Sequence, residues 1–279
     1  MNFSYKLLIA FFPFVSNFLL SYEVQSYGCI QALNKIEPYK VLIEELRDEY
    51  SQEESKEKII NGFDFFQQES LTSFQLGKYS EGLKASIQSS LYADSYETPL
   101  FKGYTGIAYS RAGINLLKLG HIKASKACHE ESYKILSNSN NKAFLSSLAW
   151  EEINLGKLYQ KINEDKKSLD FFKKAKQNFY VLRERSDSTN FYKYTNYYLN
   201  SLAELSSFYL EKGNFYEANA FMQEYQGINN DFKNIYRIYE AYAREVFSRV
   251  YLSFNKIDLA EEQIIIAKDL LKDLPHYYL

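Results

Sequence analysis

The stretch YLEKGNFYEANA, residues 209–220, reads as the end of one helix, a tight turn and the start of another. Segments with helical apolar spacing flank Gly213, and glycine often ends helices because it adopts the left-handed backbone conformation without strain. Phe215 and Ala218 follow two and five positions after the turn. A small residue such as Ala218 lets two helix backbones approach closely. The stretch therefore predicts a helical hairpin with its turn at Gly213.

The same pattern recurs along the chain. The other copies are FQLGKYSEGL (74–83), LKLGHIKASKA (117–127), YQKINEDKKSLDFF (159–172) and LSFNKIDLAEEQ (252–263). The turn residues are Gly77, Gly120, Asn163, Gly213 and Asn255, and they are separated by 43, 43, 50 and 42 positions. Recurrence at a nearly constant interval is the signature of a repeat architecture. The chain is therefore predicted to form five successive helical hairpins.

These hairpins resemble the tetratricopeptide repeat family in the residues that pack the two helices together. The third copy carries the pattern in Leu155, Gly156, Tyr159, Asn163, Ser168, Phe172 and Ala175; the fourth in Leu205, Ser206, Tyr209, Gly213, Phe215, Ala218 and Met222; the fifth in Ser248, Tyr251, Ile257, Ala260, Ile264 and Ala267. Gly113 holds the helix glycine position of the second copy, and serines replace signature residues in the first. The period of about 42 exceeds the 34 of the type repeat. The resemblance covers 54–274 and implies an all-α, right-handed superhelical solenoid of about five hairpins.

The N-terminal region differs from the repeats. Residues 1–26 are predicted to be a signal peptide, because Lys6 precedes a 14-residue apolar run from Leu7 to Leu20 and a cleavage site fits after Ser26. Residues 27–53 are predicted to be a segment with one helix at 39–50, and 54–279 the solenoid. The chain is therefore expected to be exported to the periplasm, the cell surface or the medium. Lipid anchoring at Cys29 is the less favoured alternative.

Charge argues against some partners. Lysine and arginine number 33 against 35 aspartate and glutamate, a net charge of −2, which gives no large field to attract nucleic acid or an anionic membrane. No nucleic-acid partner is expected, and any partner would be held by local patches.

Tyrosine is abundant, with 26 residues, and its densest stretch is NFYKYTNYYLNSLAELSSFY, 190–209. An apolar stripe at helical spacing runs through Phe191, Tyr194, Tyr198, Leu202, Leu205 and Tyr209. Such a stripe is typical of core, whereas a base-stacking platform would need a basic groove. Tyr194 and Tyr198 are therefore predicted to be core, and Tyr192 and Tyr197 to lie nearer the surface.

The family resemblance implies that the concave surface, lined by the first helix of each hairpin, binds a peptide or protein partner. The exposed positions predicted on it are Trp150, Ile153, Lys157, Lys161, Asn200, Glu204, Ser207, Tyr242, Glu245 and Arg249. Trp150, Lys157, Tyr242 and Arg249 are the first candidates, since aromatic residues and arginine dominate interface energetics. The lysine and asparagine clamp by which some family members bind C-terminal carboxylates is not found.

Catalytic and metal sites have weak support. His121 and Cys128 share a helix face, but no second cluster of ligands accompanies them, and His129 points elsewhere. Two acidic pairs, Glu130–Glu131 and Glu151–Glu152, are expected to be solvated. No catalytic residue, cofactor or metal is therefore predicted. Cys29 and Cys128 are the two cysteines, and a solenoid would separate them too far for a disulfide unless the N-terminal segment folds back, so no internal disulfide is predicted.

The C-terminal helix at 257–274 leaves Ile265, Ile266, Leu270 and the 277–279 tail without an internal partner, which predicts docking or self-association there. The sequence favours an exported, non-enzymatic protein–protein interaction module. Two alternatives stay open. One is the sensory or regulatory region of a bacterial signalling protein, and the other, of a different class, is a helical-scaffold enzyme or metal-binding protein.

Overall fold

The computed structural model describes residues 28–49, 56–94, 98–232 and 235–272. The signal peptide predicted at 1–26 and the tail at 277–279 lie outside these ranges. Within them the chain forms twelve α-helices and no strand: α1 Cys29–Leu33, α2 Glu37–Glu49, α3 Lys56–Gln75, α4 Tyr79–Asp94, α5 Pro99–Lys118, α6 Ile122–Ser137, α7 Leu145–Lys161, α8 Asp165–Glu184, α9 Ser188–Glu211, α10 Phe215–Asp231, α11 Arg237–Ser253 and α12 Ile257–Leu271. A 3₁₀ turn, Lys142–Phe144, precedes α7.

The ten helices from α3 to α12 form the five predicted hairpins. All five predicted turn residues have positive φ, including Asn163 at 60° and Asn255 at 57°. After each turn residue, the next backbone N–H reaches back over the helix end, as Asn214 N–H donates to the Tyr209 carbonyl over 2.8 Å. This satisfies a carbonyl that the end of the first helix would otherwise leave unpaired. The turns are therefore set by local sequence.

The hairpins stack into a solenoid. Each second helix packs between its own first helix and the first helix of the next hairpin, as α4 does between α3 and α5. The first helices α3, α5, α7, α9 and α11 also contact their successors, whereas within the described residues the second helices barely touch one another. The first helices therefore form the inner, concave layer, and the second helices form the outer layer.

Small residues allow the two layers to approach closely. A Cβ at Gly156 on α7 would lie 2.6 Å from the ring of Phe172 on α8, so the ring occupies the space that glycine leaves. A serine hydroxyl also ties first helix to second at equivalent positions: Ser125 to the Gly113 carbonyl, Ser168 to the Gly156 carbonyl and Ser206 to the Ala218 carbonyl. The small residues of the repeat pattern thus allow the two helices of a hairpin to pack closely. The serines among them also form a hydrogen bond between the two helices.

The tyrosine stripe of α9 faces the core over most of its length. Tyr198 is 4 % exposed, and Leu202 and Leu205 are fully buried in the cluster that joins the last three hairpins. Tyr194, nearer the start of the helix, is half-buried, and Tyr192 is exposed. The stretch is therefore mainly core.

The N-terminal segment lies against the outer layer. The helix predicted at 39–50 is α2, which packs on α4, and the short α1 before it, not expected from the sequence, packs on α6. Cys29, Leu33 and Ile43 are buried in the cluster shared with the first two hairpins. This segment therefore covers second helices and leaves the concave surface open.

A disulfide joins Cys29 of α1 to Cys128 of α6, with 4.0 Å between their Cα atoms. The prediction of no internal disulfide is wrong, because α1 folds back onto the outer helix of the second hairpin and closes the distance that the solenoid would otherwise impose. The Cys29 sulfur is consequently not available for the lipid thioether that the anchoring alternative requires. No helix among the described residues is both long and apolar enough to cross a membrane.

Candidate functional site on the concave surface

Three of the predicted groove residues, each from a different first helix, meet in one polar cluster. Lys157 Nζ of α7 lies 2.5 Å from Glu204 Oε1 of α9. The Tyr242 hydroxyl of α11 donates to Glu204 Oε2 over 3.0 Å. Lys157 Nζ also lies 5.8 Å from the Tyr242 ring centroid. The cluster links three successive hairpins across the concave surface.

Glu204 is the centre of this cluster. Its side chain is 5 % exposed, whereas that of Lys157 is 48 % exposed. A carboxylate at that depth needs partners, and hydrogen bonds to charged groups contribute about 1.5–3 kcal/mol each. Burial raises the pKa of Tyr242 well above its ordinary value, and the negative charge of Glu204 adds to the effect. Tyr242 therefore stays a neutral hydrogen-bond donor at physiological pH, and Lys157 presents a charge to solvent at the rim of the cluster.

Four of the predicted groove residues, Glu204 among them, are less accessible than expected. Ile153 is 1 % exposed and belongs to the main core, and Asn200, Glu204 and Ser207 are also buried. The prediction that these four positions are exposed is wrong, because adjacent first helices pack so closely that side chains between them are covered. Lys161 is exposed.

Glu245 and Arg249 are the other two predicted groove residues on α11. Arg249 Nη1 lies 3.7 Å from Glu245 Oε1, one helical turn away, and both side chains are more than a third exposed. An exposed pair of this kind contributes little to stability, about 0.3–0.5 kcal/mol. The two side chains are therefore free to exchange their mutual contact for contacts with a bound segment.

Trp150 is not a free anchor. Its ring contacts Phe179 at 5.4 Å, Tyr197 at 5.0 Å and Tyr239 at 5.9 Å between centroids, and the residue is half-buried. Tyr197 and Tyr239 come from α9 and α11, so this aromatic group also spans three first helices. It forms part of the floor of the concave surface.

Arg111 of α5, a half-buried residue, was not among the groove positions predicted from the sequence. Burial lowers the pKa of Arg111, and Tyr239 opposes the shift although the two residues belong to the second and fifth hairpins. Arg111 stands two positions before Gly113, the same place that Glu204 holds before Ser206. Extending the groove positions of the later repeats back to the second hairpin would have found it.

Comparison with known proteins supports the architecture. No protein-family model and no curated protein matches the chain. Among solved structures, "BtubC (BKLC) from P. vanneervenii" matches with a TM-score of 0.59 at 12 % identity, covering 84 % of this chain and 88 % of that one. A putative kinesin light chain of Podosopora anserina, described as having nearly identical TPR-like repeats, gives a TM-score of 0.55 at 12 % identity over 79 % and 97 %. The fold is that of a tetratricopeptide-type repeat solenoid.

The apo form of RapI is a third match of this tetratricopeptide-type solenoid. It gives a TM-score of 0.53 at 14 % identity, and the match covers 95 % of this chain and 97 % of RapI. Identities this low establish the shared fold and leave the ligand of the solenoid to be argued from its own residues.

Outside the groove, the structure bears on the possible metal ligands His121 and Cys128. Cys128 is in the disulfide, so the face formed by His121 and Cys128 lacks a thiolate ligand. Among the described residues, no group of three or more histidine, cysteine, aspartate or glutamate side chains is placed to hold a metal ion. The metal-binding alternative therefore loses the ligand pair on which it rested.

Glu151 and Glu152 are buried, at 0 % and 2 % exposure, so the prediction that they are solvated is wrong. The bulk of α6 and α8 covers them on the outer side of α7. Glu151 Oε1 lies 2.8 Å from His129 Nδ1, and Asn178 donates to Glu152 Oε2 over 2.8 Å. Burial raises the pKa of Glu152 to about 7, although the Asn178 hydrogen bond opposes the shift. These carboxylates are internal packing partners of the tetratricopeptide-type solenoid.

The C-terminal end of the solenoid exposes apolar surface. In α12, Ile257 is 59 % and Ile265 is 61 % exposed, whereas Ile266 and Leu270 are half-buried. A cleft of about 380 Å³ lies between α11 and α12 and is lined mainly by apolar side chains. Residues 277–279, part of the docking surface predicted from the sequence, lie outside the described residues.

Proposed function

We propose that the chain is an exported, non-enzymatic interaction module that binds a peptide or protein segment along its concave surface. The observation that carries the proposal is the Lys157–Glu204–Tyr242 cluster, which three successive first helices build on that surface. Helices hold these side chains in fixed relative positions, and rigid elements make better recognition surfaces than loops. The concave surface of a solenoid also presents an extended binding face.

The groove offers contacts of several kinds to an extended or helical segment. Lys157 and Arg249 provide positive charge, Glu245 provides negative charge, and the aromatic floor provides apolar area. Aromatic and arginine side chains contribute most of the energy at protein interfaces. A mixed surface of this kind suits a polypeptide better than a small uniform ligand.

The test is partner retention by immobilised protein incubated with envelope and secreted fractions of the source cells. The groove variant is Lys157→Gln with Arg249→Gln, since glutamine can still donate to Glu204 and Glu245. The matched control is Lys166→Gln with Lys173→Gln, two exposed lysines on the outer helix α8. We expect the groove variant to lose retention by about tenfold or more, a difference of about 1.4 kcal/mol, and the control to behave as wild type.

Circular dichroism of both variants accompanies the retention assay, because a loss of helix in the groove variant would make the comparison meaningless as a binding test. Equal retention by wild type, groove variant and control, with helicity unchanged, would place binding elsewhere and contradict the proposal.

Export is part of the proposal, and two observations support it. The apolar run Leu7–Leu20 has the length of a signal-peptide core, and the Cys29–Cys128 disulfide suits an oxidising compartment outside the cytoplasm. N-terminal sequencing and intact-mass measurement of the native protein test it. A chain that begins at Tyr27 in an extracytoplasmic fraction is expected, and a chain that keeps Met1 in the cytosol would contradict export.

A further inference from the structure

The cleft between α11 and α12, called the terminal cleft below, lies at the C-terminal end of the solenoid. Its α12 side is lined by Ile264, Ala267, Lys268 and Leu271, and its α11 side includes Ala241 and Glu245. The two alanines are buried, Ile264 and Leu271 are half-buried, and Lys268 is exposed. The cleft is therefore apolar at its base and carries charges at its rim.

The lining positions are those that the next first helix covers elsewhere in the solenoid. Counted from the turn residue of each hairpin, Ile264 and Ala267 hold the places of Met222 and Tyr225 on α10. Met222 is 2 % and Tyr225 0 % exposed, and the Tyr225 ring packs against Phe247 of α11 with 5.0 Å between centroids. The terminal cleft is therefore one half of the interface between successive hairpins, an interface that the described chain completes at each earlier junction.

The start of α12 shows the same pattern. Ile122, at the start of α6, packs with Leu155 and Leu158 of α7, so the next first helix covers it. Ile257 holds the same place at the start of α12 and is 59 % exposed. Apolar surface of the kind that successive hairpins bury against each other is thus open at this end.

The charges at the rim are self-complementary. Lys268 stands on α12 and Glu245 on α11, on the two sides of the cleft. Among the described residues Lys268 forms no ion pair. Glu245 faces Arg249 through Oε1, and a carboxylate can accept from further donors. A two-fold axis through the cleft would bring Glu245 of each copy to Lys268 of the other, because such an interface uses the same surface twice.

The N-terminal end of the solenoid does not offer a matching helix. Tyr242 and Phe247 are the α11 residues that contact the preceding hairpin, through Glu204 and Tyr225. On α3 the same places carry aspartate and glutamate, and both are exposed. Carboxylates would lose their solvation in an apolar cleft. This argues against stacking copies head to tail and favours a contact between two C-terminal ends.

We propose that the terminal cleft binds a second copy of this chain through a two-fold symmetric contact. The apolar residues of α11 and α12 cover those of the other copy, and Glu245 of each copy pairs with Lys268 of the other. The contact closes at two chains. Tyr242 and Glu245 line the terminal cleft and also belong to the predicted groove, so the concave surfaces of the two copies meet at the contact.

A charge exchange tests the contact. Glu245→Lys and Lys268→Glu each place like charges opposite one another in both pairs, so each variant alone should raise the dissociation constant of the dimer by about tenfold or more. An equal mixture of the two variants restores opposite charges in both pairs and should form heterodimers. Analytical ultracentrifugation measures the association, and native mass spectrometry with one variant labelled with ¹⁵N identifies the heterodimer.

Recovery of the dimer on mixing also shows that both variants are folded, so a loss in the single variants cannot come from misfolding. The matched control is Lys173→Glu, the same change of charge at an exposed residue of the outer helix α8, which should dimerise as wild type does.

The other outcomes overturn the inference. Wild type that stays monomeric at every concentration would leave the terminal cleft to a different protein. Single variants that dimerise as wild type does, or a mixture no more associated than its components, would exclude the pairing of Glu245 with Lys268. A mass that grows beyond two chains would show head-to-tail stacking. None of these results bears on partner retention by the Lys157 and Arg249 variant, so the proposed function stands or falls separately.

Discussion

At the scale of single residues, glycine positions in the first helices decide how closely the two layers pack. At Gly156 a methyl group would lie 2.6 Å from the Phe172 ring, which is itself buried on all sides. Gly227 in α10 offers a contrast, because a Cβ there meets nothing within 4 Å. The two glycines share a helical backbone and differ only in what surrounds them.

We predict that Gly156→Ala lowers the free energy of unfolding by about 1–3 kcal/mol, the usual cost of overpacking a core. Gly227→Ala is the control and should raise it by up to about 1 kcal/mol, because alanine is the better helix former. Urea denaturation followed by circular dichroism measures both. If Gly156→Ala left the free energy of unfolding unchanged, the two helices would be able to move apart without loss of stability, which would contradict the prediction.

Glu152 shows how an internal carboxylate couples stability to pH. Its pKa of about 7 in the folded protein lies above the ordinary 4.5, so the folded state holds a proton that the unfolded state releases. Stability is therefore highest below the ordinary pKa and falls as pH rises from about 4.5 to 7. At about 1.4 kcal/mol for each unit of difference, the loss amounts to at most about 3 kcal/mol.

We predict that Glu152→Gln stabilises the protein at pH 8 by up to about 3 kcal/mol and changes stability little at pH 4.5, where Glu152 is protonated in the folded state and half protonated in the unfolded state. In this variant Asn178 can still donate its hydrogen bond, now to the side-chain carbonyl of the glutamine. Denaturation curves of wild type and variant at the two pH values provide the comparison. An equal effect at both would show that Glu152 does not titrate in this range.

At the scale of the elements, the Cys29–Cys128 disulfide ties α1 to the second hairpin across a sequence separation of 99 residues. Closing so long a loop restricts the unfolded chain considerably, and disulfides typically contribute about 2–4 kcal/mol. The buried side chains of α1 pack on the same outer helix. The hairpins themselves depend on contacts within α3 to α12.

We predict that dithiothreitol lowers the free energy of unfolding by about 2–4 kcal/mol while the far-ultraviolet spectrum keeps its helical form. The double variant Cys29→Ser with Cys128→Ser serves as control and should not respond to the reductant. Wild type that is insensitive to dithiothreitol, with the disulfide shown by mass spectrometry to be reduced, would contradict the prediction.

At the scale of the whole molecule, a solenoid has two ends, and the C-terminal end is apolar. Ile257 and Ile265 are well exposed on α12, on a terminal helix whose outer face is normally polar in repeat proteins. We predict self-association through this end, so that the mass measured by light scattering rises with concentration. Ile265→Lys should keep the protein monomeric, since a lysine on this face would lose solvation on docking.

The control for that experiment is Lys173→Gln, a substitution of an exposed residue on the outer helix α8, and it should leave self-association unchanged. A wild-type mass equal to that of one chain at every concentration would contradict the prediction. The groove of the first helices is not altered by Ile265→Lys, which keeps this test separate from those of partner binding.

The sequence by itself determined the hairpins and their order. Gly213 and its four counterparts stop helices through their own backbone preferences, and the apolar spacing around Tyr198 and Leu202 depends only on the period of a helix. These are local properties, so they could be read before any contact was known. The position of the first helices on the concave surface followed from the resemblance to the repeat family.

Only the tertiary structure decided which distant residues meet. The fold-back of α1 brings Cys29 to Cys128, the packing of α6 and α8 against α7 buries Glu151 and Glu152, and the packing of the first helices brings Trp150 against Tyr197 and Tyr239. Each of these contacts depends on how neighbouring helices are oriented. Many residues together set that orientation, and no periodic pattern in the sequence records it. For that reason the scaffold could be predicted from the sequence, whereas the depth and charge of its groove could not.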